Sequence, residues 1–407
     1  MRHQTLFKGA FLGIILIFTL TLTACRGENL PAPTSTAPPS QTLTDTPQPT
    51  ATLTPTATAT LTETPSPTPT ITPSPTLIAY GPLAFPANVN PLTGLTVPNP
   101  QILQRLPVLV KVSNFPRSLR PHAGLSFADH VYEYYIGAGA TRFVAVYYGQ
   151  DTEQAGPVRS ARLIDIGLAN AYQGILAFVS ADEFVFVRVV NSLLDRAITE
   201  SSNTCPGLCR TGNGDVNSVF VDTAALTQYA IEQRKVATTA PNLEGMRFDP
   251  VIPTGNGEGK RLQVRYAINT ISEWRYDAAS SKYLRWIENV DEENNVTLVP
   301  LTDRLTDEQL AFSNVVVLFA AYTELKPTLH DIEILGNTFG RRAILYRDGQ
   351  QIELVWKAVG NQPLQFFYPD GTPAPFKPGN TWFEVVGVNS VITEVTPGEW
   401  EVEFHLP

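Results

Sequence analysis

The feature that most limits how this chain can fold is a tract rich in threonine and proline that occupies residues 26–76. Proline removes backbone hydrogen-bond donors and holds φ near the polyproline value, and few apolar side chains are present to offset the entropy of ordering. The tract therefore predicts an extended, disordered linker. Aromatic residues, β-branched residues and turn signals return in residues 83–407, a length that is enough to bury a large core.

The segment before this tract has the order of a secretion signal. Arg2 and Lys8 precede an apolar run from Phe11 to Leu20, and Leu22-Thr23-Ala24-Cys25 closes it. This order closely resembles a bacterial lipoprotein signal, which implies that 1–24 is removed and that Cys25 is diacylated. Two acyl chains anchor a protein to a membrane stably. We therefore expect a lipid anchor on the extracytoplasmic face of the cell membrane; the alternative is an uncleaved segment that crosses the membrane once.

These patterns divide the chain into four parts and predict an α+β fold. The signal peptide is 1–24, and the lipidated cysteine with its disordered linker is 25–82. Residues 83–250 mix helix and strand patterns, whereas 251–407 contain mostly antiparallel strand patterns, with the boundary in a stretch rich in glycine and proline. Helices are predicted at 160–172 and 222–235, and a hairpin turn is predicted at Asp348-Gly349. Strands are predicted at 106–112, 131–135, 141–148, 262–268, 283–287, 315–319, 343–346, 352–356 and 382–388.

Charge and cysteine content narrow the possible functions. The formal net charge is −9 and the isoelectric point is near 5.2, which argues against nonspecific binding of nucleic acid because phosphate neutralisation needs clustered cations. Apart from Cys25, the cysteines are Cys205 and Cys209, in a loop rich in small polar residues. An oxidising compartment favours a disulfide between them; free thiols and half of a zinc site are the alternatives. No metal ligand set and no cofactor are predicted.

Short motifs in the folded part occur in the order found in one known family. They are N-P-L-T-G-L at 90–95, R-P at 120–121, G-L-S at 124–126, A-D at 128–129, Y-E at 132–133, T-R-F at 141–143, G-P-V-R-S-A-R at 156–162, Y-L-R at 283–285, N-V-V-V at 314–317, W-K at 356–357 and P-G-N-T-W at 378–382.

With these motifs the chain resembles the YerB-like lipoprotein family (DUF3048) from about residue 88 to 388. The resemblance implies a two-part α+β domain whose biochemical activity is not established. Members usually carry a His-Asn pair where this chain has Val216-Asn217. Chemistry that depends on that histidine is therefore not expected here.

The richest candidate site is the segment 156–162. Ser160 is predicted to cap a helix, which would place Arg159 and Arg162 in its first turn. The helix dipole disfavours cations at that end, so two arginines there need a partner.

That partner is either a ligand or an acid of the protein itself. A carboxylate or phosphate could be held by guanidinium groups and free backbone N–H groups. Glu133, Asp165 or Asp129 could instead pair with the arginines and tie the helix to the sheet. The candidate ligand-binding residues are Arg120, Glu133, Arg142, Arg159, Ser160 and Arg162.

Familiar catalytic motifs are absent from the sequence, so no catalytic residue is predicted. Carboxylate pairs occur at Asp182-Glu183 and at 291–293, where a helix start and a turn are the simpler interpretations. We therefore expect a non-enzymatic, lipid-anchored binding protein of the cell envelope, whose partner is a wall fragment or a protein of wall synthesis. The alternative is an envelope hydrolase that uses carboxylates and the arginines.

Overall fold

The computed structural model describes residues 78–212, 215, 217–254 and 257–407. The predicted signal peptide, Cys25 and the linker as far as residue 77 lie outside the described residues. The described residues belong to one compact unit, Pro73–Pro407. None of the helices in this part of the chain is both long enough and apolar enough to cross a membrane.

The α+β class predicted from the sequence is confirmed. Within the described residues the α-helices all precede residue 251: α1 (Leu163–Ala171), α2 (Glu183–Leu193) and α3 (Thr223–Glu232). Short 3-10 helices occur at Pro100–Gln104, Arg117–Leu119, Leu125–Phe127 and Leu194–Arg196.

The strands follow one another along the whole described chain. They are β1 (Val108–Ser113), β2 (His130–Gly137), β3 (Ala140–Tyr147), β4 (Ile175–Phe178), β5 (Ala197–Thr199), β6 (Leu208–Arg210), β7 (Val219–Val221), β8 (Arg247–Phe248), β9 (Gly257–Glu258), β10 (Arg261–Ala267), β11 (Thr270–Asp277), β12 (Lys282–Val290), β13 (Val296–Pro300), β14 (Ala311–Phe312), β15 (Asn314–Ala320), β16 (Tyr322–Lys326), β17 (Leu329–Ile332), β18 (Arg341–Arg347), β19 (Gln350–Lys357), β20 (Gln365–Phe367), β21 (Pro375–Phe376), β22 (Thr381–Gly387), β23 (Val391–Thr396) and β24 (Glu399–Glu403).

An 11-stranded sheet forms the centre of the molecule. Its order is β20-β19-β18-β15-β22-β2-β3-β1-β4-β5, and β9 pairs with β19. The strands β15, β22, β2, β1, β4 and β5 point in one direction, because their pairings are parallel or are related through the antiparallel strand β3. Their carboxyl ends therefore lie along one edge of the sheet.

Each face of this sheet buries its own core. One core contains residues of α1, α2 and the β16–β17 hairpin, and the other contains residues of α3 and the 7-stranded sheet β13-β12-β11-β10-β24-β23 with β14. Neighbouring residues of a strand point to opposite faces, so Val108, Val110 and Val112 of β1 enter the second core while Leu109 enters the first.

Strands from before and after the predicted boundary at residue 250 share the large sheet. β22 lies between β15 and β2 and is parallel to both. The boundary thus separates the sequence that contains the helices from a strand-rich sequence, but both contribute to one compact unit.

Two local predictions can be compared directly with the strand pairing. Arg347 pairs with Gln350 around Asp348-Gly349, whose φ angles are 52° and 72°, so the predicted hairpin turn is confirmed. The helix predicted at 222–235 is α3, and the Asp222 side chain accepts a hydrogen bond from the Ala225 N–H at 2.9 Å, as its expected capping role requires.

Candidate anion-binding site

The segment 156–161 is inserted where β1 and β4 separate. Beyond their last paired residues, the Arg159 N–H donates to the Lys111 carbonyl at 2.8 Å, and the Val179 N–H donates to the Arg159 carbonyl at 3.1 Å. The segment therefore bridges the carboxyl ends of two parallel strands. In open sheets with parallel strands, the crevice outside these ends is where ligands commonly bind.

Gly156 makes this insertion possible. Its φ is 150°, and a Cβ atom there would lie 2.9 Å from the Val158 nitrogen and 3.0 Å from the Phe220 ring. A side chain would therefore collide with neighbours on two sides, and the conformation itself favours glycine.

The predicted helix start at Ser160 is wrong. Residues 159–161 are extended because their backbone groups bond to strand ends, so α1 begins only at Leu163. The Ser160 side chain lies 3.0 Å from the Ser180 hydroxyl and caps no helix, and Arg162 occupies the cap position. Neither arginine lies in the first helical turn.

Three of the predicted arginines nevertheless converge. Arg142 and Arg162 both donate to the Ser160 carbonyl, at 2.7 and 3.4 Å, so their guanidinium groups lie side by side. Arg159 donates from Nε to the Ser113 hydroxyl at 3.2 Å, and Ser113 lies opposite Arg142 in the β1–β3 ladder. We call Arg142, Arg159 and Arg162 the arginine cluster. All three are partly exposed.

A buried lysine lies beneath the cluster. The Lys111 ammonium donates to the Tyr134 hydroxyl and, at 3.2 Å, to Asp165 Oδ1, and Tyr134 donates to the same carboxylate. Burial lowers the pKa of Lys111 to about 7; Asp165 opposes this shift, and the charges of Arg142 and Arg162 add to it. The acid that acts on Arg159 is Asp215, and Asp182 also acts on Arg162. Lys111, Arg142 and Arg162 share one carboxylate, that of Asp165.

That carboxylate is already occupied. Asp165 Oδ1 accepts from Lys111 and Tyr134, and Oδ2 accepts from the Arg162 backbone N–H at 2.7 Å. Across the described residues, no acidic side chain lies within ion-pair distance of the arginine cluster. The Arg162 Nε is buried and has no hydrogen-bond partner there.

The electrostatics of the cluster reflect this surplus of positive charge. Burial and the charges of Arg162 and Arg159 together lower the pKa of Arg142 to about 9, and the charge of Asp165 offsets only part of this shift. Burial also lowers the pKa values of Arg159 and Arg162. An anion placed between these side chains would relieve their mutual repulsion.

Two other predicted site residues lie elsewhere. Arg120 donates to Glu288 Oε1 at 2.8 Å, and Glu133 accepts from Arg285 at 2.8 Å. They belong to a second group of charges between the large sheet and the 7-stranded sheet. We call this group the carboxylate network; its members are Arg117, Arg120, Glu133, Arg285, Glu288 and Glu384.

The acids considered as internal partners for the arginines are thus accounted for. Glu133 pairs with Arg285, and Asp129 accepts from the N–H groups of Tyr148 and Gly149 at 2.6 and 3.0 Å. Only Asp165 adjoins the cluster, and it contacts Arg162 through the backbone.

The remaining candidate groups have structural roles. Asp182 caps α2 by accepting from the Phe184 N–H at 3.0 Å, and Asp291 accepts from Asn295 in the exposed turn between β12 and β13. Cys205 and Cys209 form a disulfide with Cα atoms 5.0 Å apart. No group of three or more potential metal ligands occurs in the described ranges.

Sequence reasoning missed Lys111. One signal was available, since Leu109, Lys111 and Ser113 alternate along a strand and therefore share a face, and a lysine in such a buried row calls for a partner.

Comparison with known proteins gives consistent matches. The N-terminal domain of a protein family of unknown function (DUF3048) matches residues 92–237, and the C-terminal domain of the same family matches residues 262–383. The chain is 29% identical over 314 residues to "Putative lipoprotein YerB" of Bacillus subtilis (strain 168), covering 73% of this chain and 85% of that protein. It is similar to the crystal structure of the YerB protein from Bacillus subtilis with a TM-score of 0.57 and 26% identity, covering 73% of this chain and 96% of that one.

Proposed function

Because the chain belongs to the DUF3048 family and is similar over most of its length to a protein named as a lipoprotein, we propose that it is a lipid-anchored binding protein of the cell envelope. Its site is the arginine cluster, and its ligand carries a phosphate or carboxylate group. The protein holds this group without changing it. The ligand is contacted by Arg142, Arg159 and Arg162. The buried pair of Lys111 and Asp165 beneath these arginines holds them in position.

The observation that carries the proposal is the unbalanced charge of the site. None of the three guanidinium groups has a carboxylate within ion-pair distance in the described part of the chain, and both oxygens of Asp165, beside them, are already bonded within the protein. Burying like charges together is costly unless a partner of opposite charge completes the group. Guanidinium groups offer paired N–H donors that fit carboxylate and phosphate oxygens.

The position in the fold supports the same conclusion. The cluster lies at the carboxyl ends of β1 and β4 and just before the first turn of α1. The N-terminus of a helix carries a partial positive charge, which adds to the attraction of an anion. Backbone and side chains therefore favour the same sign of ligand charge.

In this proposal the lipid anchor holds the site on the extracytoplasmic side of the cell membrane. Cys25 carries the lipid, and the tract rich in threonine and proline, 26–76, connects it to the folded part. The ligand is accordingly a component of the envelope, either part of the wall or of a molecule used to build it.

The direct test measures phosphate binding by residues 73–407. This fragment is suitable for the measurement because it forms one compact unit that contains both cores. Replacement of Arg159→Gln together with Arg162→Gln removes charge-assisted hydrogen bonds, so the affinity for inorganic phosphate should fall at least about tenfold in isothermal titration at low ionic strength.

The matched control is Arg342→Gln, since Arg342 forms an exposed pair with Glu353 at 2.7 Å on another strand. This variant should bind phosphate as the unchanged protein does. Equal phosphate affinity in the double variant and the unchanged protein, with both folded by circular dichroism, would contradict the proposed site.

A further inference from the structure

A groove of about 440 Å³ runs beside the arginine cluster. Its floor is the face of α1 that carries Leu163 and Ile166, and its walls come from the start of α2 and from the β16–β17 hairpin. The apolar side chains of the lining include those of Leu163, Ile166, Phe184, Leu325 and Ile332. The volume is within the range of small-molecule sites, roughly 300 to 1,000 Å³.

The groove begins next to the arginine cluster. Leu163, which lines the groove, directly follows Arg162 in the chain. Lys326 of the hairpin lies 4.0 Å from Asp182, which caps α2, so the hairpin and the start of α2 approach each other. The charge of Arg162 also reaches His330 of β17, where it adds to the burial that lowers the pKa of that histidine.

The groove leaves apolar side chains in contact with solvent. Phe184 is 38% exposed and Leu325 is 46% exposed, and both line it. Exposed apolar surface that is concave and borders a charged cluster is typical of a binding site rather than of ordinary surface.

Most charged groups at the groove are bonded within the protein. Arg188 lies over the Phe184 ring and donates to the Phe184 carbonyl at 3.2 Å, and Glu333 pairs with Arg341. Asp331 adds a further negative charge to the lining. The lining thus carries one cation, Arg188, and two acids, whereas the arginine cluster carries three cations, so an anionic group is favoured at the cluster rather than in the groove.

We propose that the ligand is amphipathic: a phosphate monoester of a long-chain alcohol, with its phosphate on the arginine cluster and its hydrocarbon chain in the groove. This inference rests on the proposed function and specifies the class of ligand. The aliphatic and aromatic side chains on the floor and walls suit a hydrocarbon chain, which has no hydrogen bonds to satisfy and can lie between the charged groups of the lining. An extended peptide would bring backbone donors and acceptors that need partners.

The test compares two probes, inorganic phosphate and dodecyl phosphate below its micelle concentration, on residues 73–407. Dodecyl phosphate should bind at least about tenfold more tightly, because burying only a few methylenes gains that factor. Replacement of Phe184→Ser together with Leu325→Ser should remove most of this advantage and leave the affinity for inorganic phosphate unchanged. The double variant Arg159→Gln with Arg162→Gln should weaken both probes.

The matched control is Val187→Ser, on α2 and 51% exposed but outside the groove lining, which should bind both probes normally. The long-chain phosphate ligand is rejected, but the anion site is not, under either of two outcomes. One is that dodecyl phosphate binds no more tightly than inorganic phosphate, and the other is that Phe184→Ser with Leu325→Ser keeps the full difference in affinity between the two probes. If an apolar peptide with a free carboxyl terminus binds more tightly than dodecyl phosphate, the ligand is a peptide instead. If neither probe depends on Arg159 and Arg162, the proposed function itself fails.

Discussion

The two charged groups on opposite faces of the large sheet differ in how their charges are matched. In the carboxylate network, Glu133, Glu288 and Glu384 meet Arg117, Arg120 and Arg285, so three acids face three bases. In the arginine cluster and the groups beneath it, the only ion pair within the described residues joins Lys111 to Asp165, and Asp182 and Asp215 lie beyond ion-pair distance of Arg162 and Arg159.

The hydrogen bonding shows the same contrast. Glu384 accepts from Ser272, from Trp274 at 2.8 Å and from Tyr266 at 3.0 Å, so both of its oxygens are occupied. The Nε atoms of Arg162 and Arg285 are both buried without a partner among the described residues, but Arg285 donates from another nitrogen to the Glu133 carboxylate, whereas Arg162 donates only to backbone carbonyls. A network in which each cation bonds to an acid indicates a structural role, and a cluster of guanidinium groups that bond to no acid indicates a site for an added anion.

The largest effect is expected at the centre of the carboxylate network. Arg285→Gln leaves Glu133 with the neutral donors Thr141 and Asn114 but without its cationic partner, in a fully buried site. Burial and the charge of Glu384 already raise the pKa of Glu133 there. Breaking such a pair costs about 3 to 5 kcal/mol, which urea unfolding of residues 73–407 would measure.

Removing the charge of both partners checks the cause of this loss. Arg285→Met combined with Glu133→Gln leaves no unpaired charge from this pair and should recover a large part of the stability. A loss below about 1 kcal/mol for Arg285→Gln would mean that the network is not structural in this sense.

The next effect concerns Lys111 and depends on pH. The pKa of Lys111 is about 7 in the folded protein against an ordinary value of 10.5, so between these values the unfolded chain binds more protons. The free energy of unfolding should therefore rise with pH across this window, and Lys111→Met should remove that part of the rise.

The size and measurement follow from linkage. Each pKa unit corresponds to about 1.4 kcal/mol, so the difference between the two proteins should change by on the order of 3 kcal/mol from pH 7 to pH 10. Urea unfolding of both proteins at pH 7, 8.5 and 10 gives this difference. Parallel pH curves would mean that Lys111 stays protonated beside Tyr134 and Asp165.

A smaller effect is expected at the rim of the carboxylate network. Arg120→Gln removes bonds to the Glu288 carboxylate and carbonyl, but Glu288 keeps Arg117 at 3.1 Å and the Ile271 N–H at 3.0 Å. We expect a loss of about 1.5 kcal/mol in the free energy of unfolding. Arg117→Gln, at a more exposed side chain, should lose less, and the reverse order would show that burial does not set the strength of these pairs.

The sequence predicted the fold class and most of the long strands, because their valine and tyrosine patterns alternate. It did not predict the extent of α2, whose sequence E-F-V-F-V-R-V-V is rich in aromatic and β-branched residues that favour strands. Only its start at Asp182 could be recognised. Packing of Val185, Val189 and Leu193 into the first core makes it a helix.

The members of the site were predicted, but their grouping was not. In the β2–β3 ladder Arg142 lies opposite Tyr134, while Glu133 lies opposite Phe143. Glu133 therefore points to one face of the sheet and Arg142 to the other. This assignment depends on strand register, since a shift of one residue reverses every side chain, and a single sequence does not reveal register.

The smallest effect on stability is expected for Arg159→Gln with Arg162→Gln. These side chains form no ion pair within the described part of the chain, so the free energy of unfolding should change by less than about 1 kcal/mol, in contrast to Arg285→Gln. Whether the double variant is more or less stable than the unchanged protein should depend on the salt concentration. Repulsion among the cluster cations is felt most at 0.01 M ionic strength, where the Debye length is about 30 Å, and is screened at 0.15 M, where it is about 8 Å. Urea unfolding in phosphate-free buffer should thus show the double variant gaining stability relative to the unchanged protein at low salt and losing that gain at high salt. A loss of several kcal/mol at both salt concentrations would place these arginines with the structural charges of the carboxylate network.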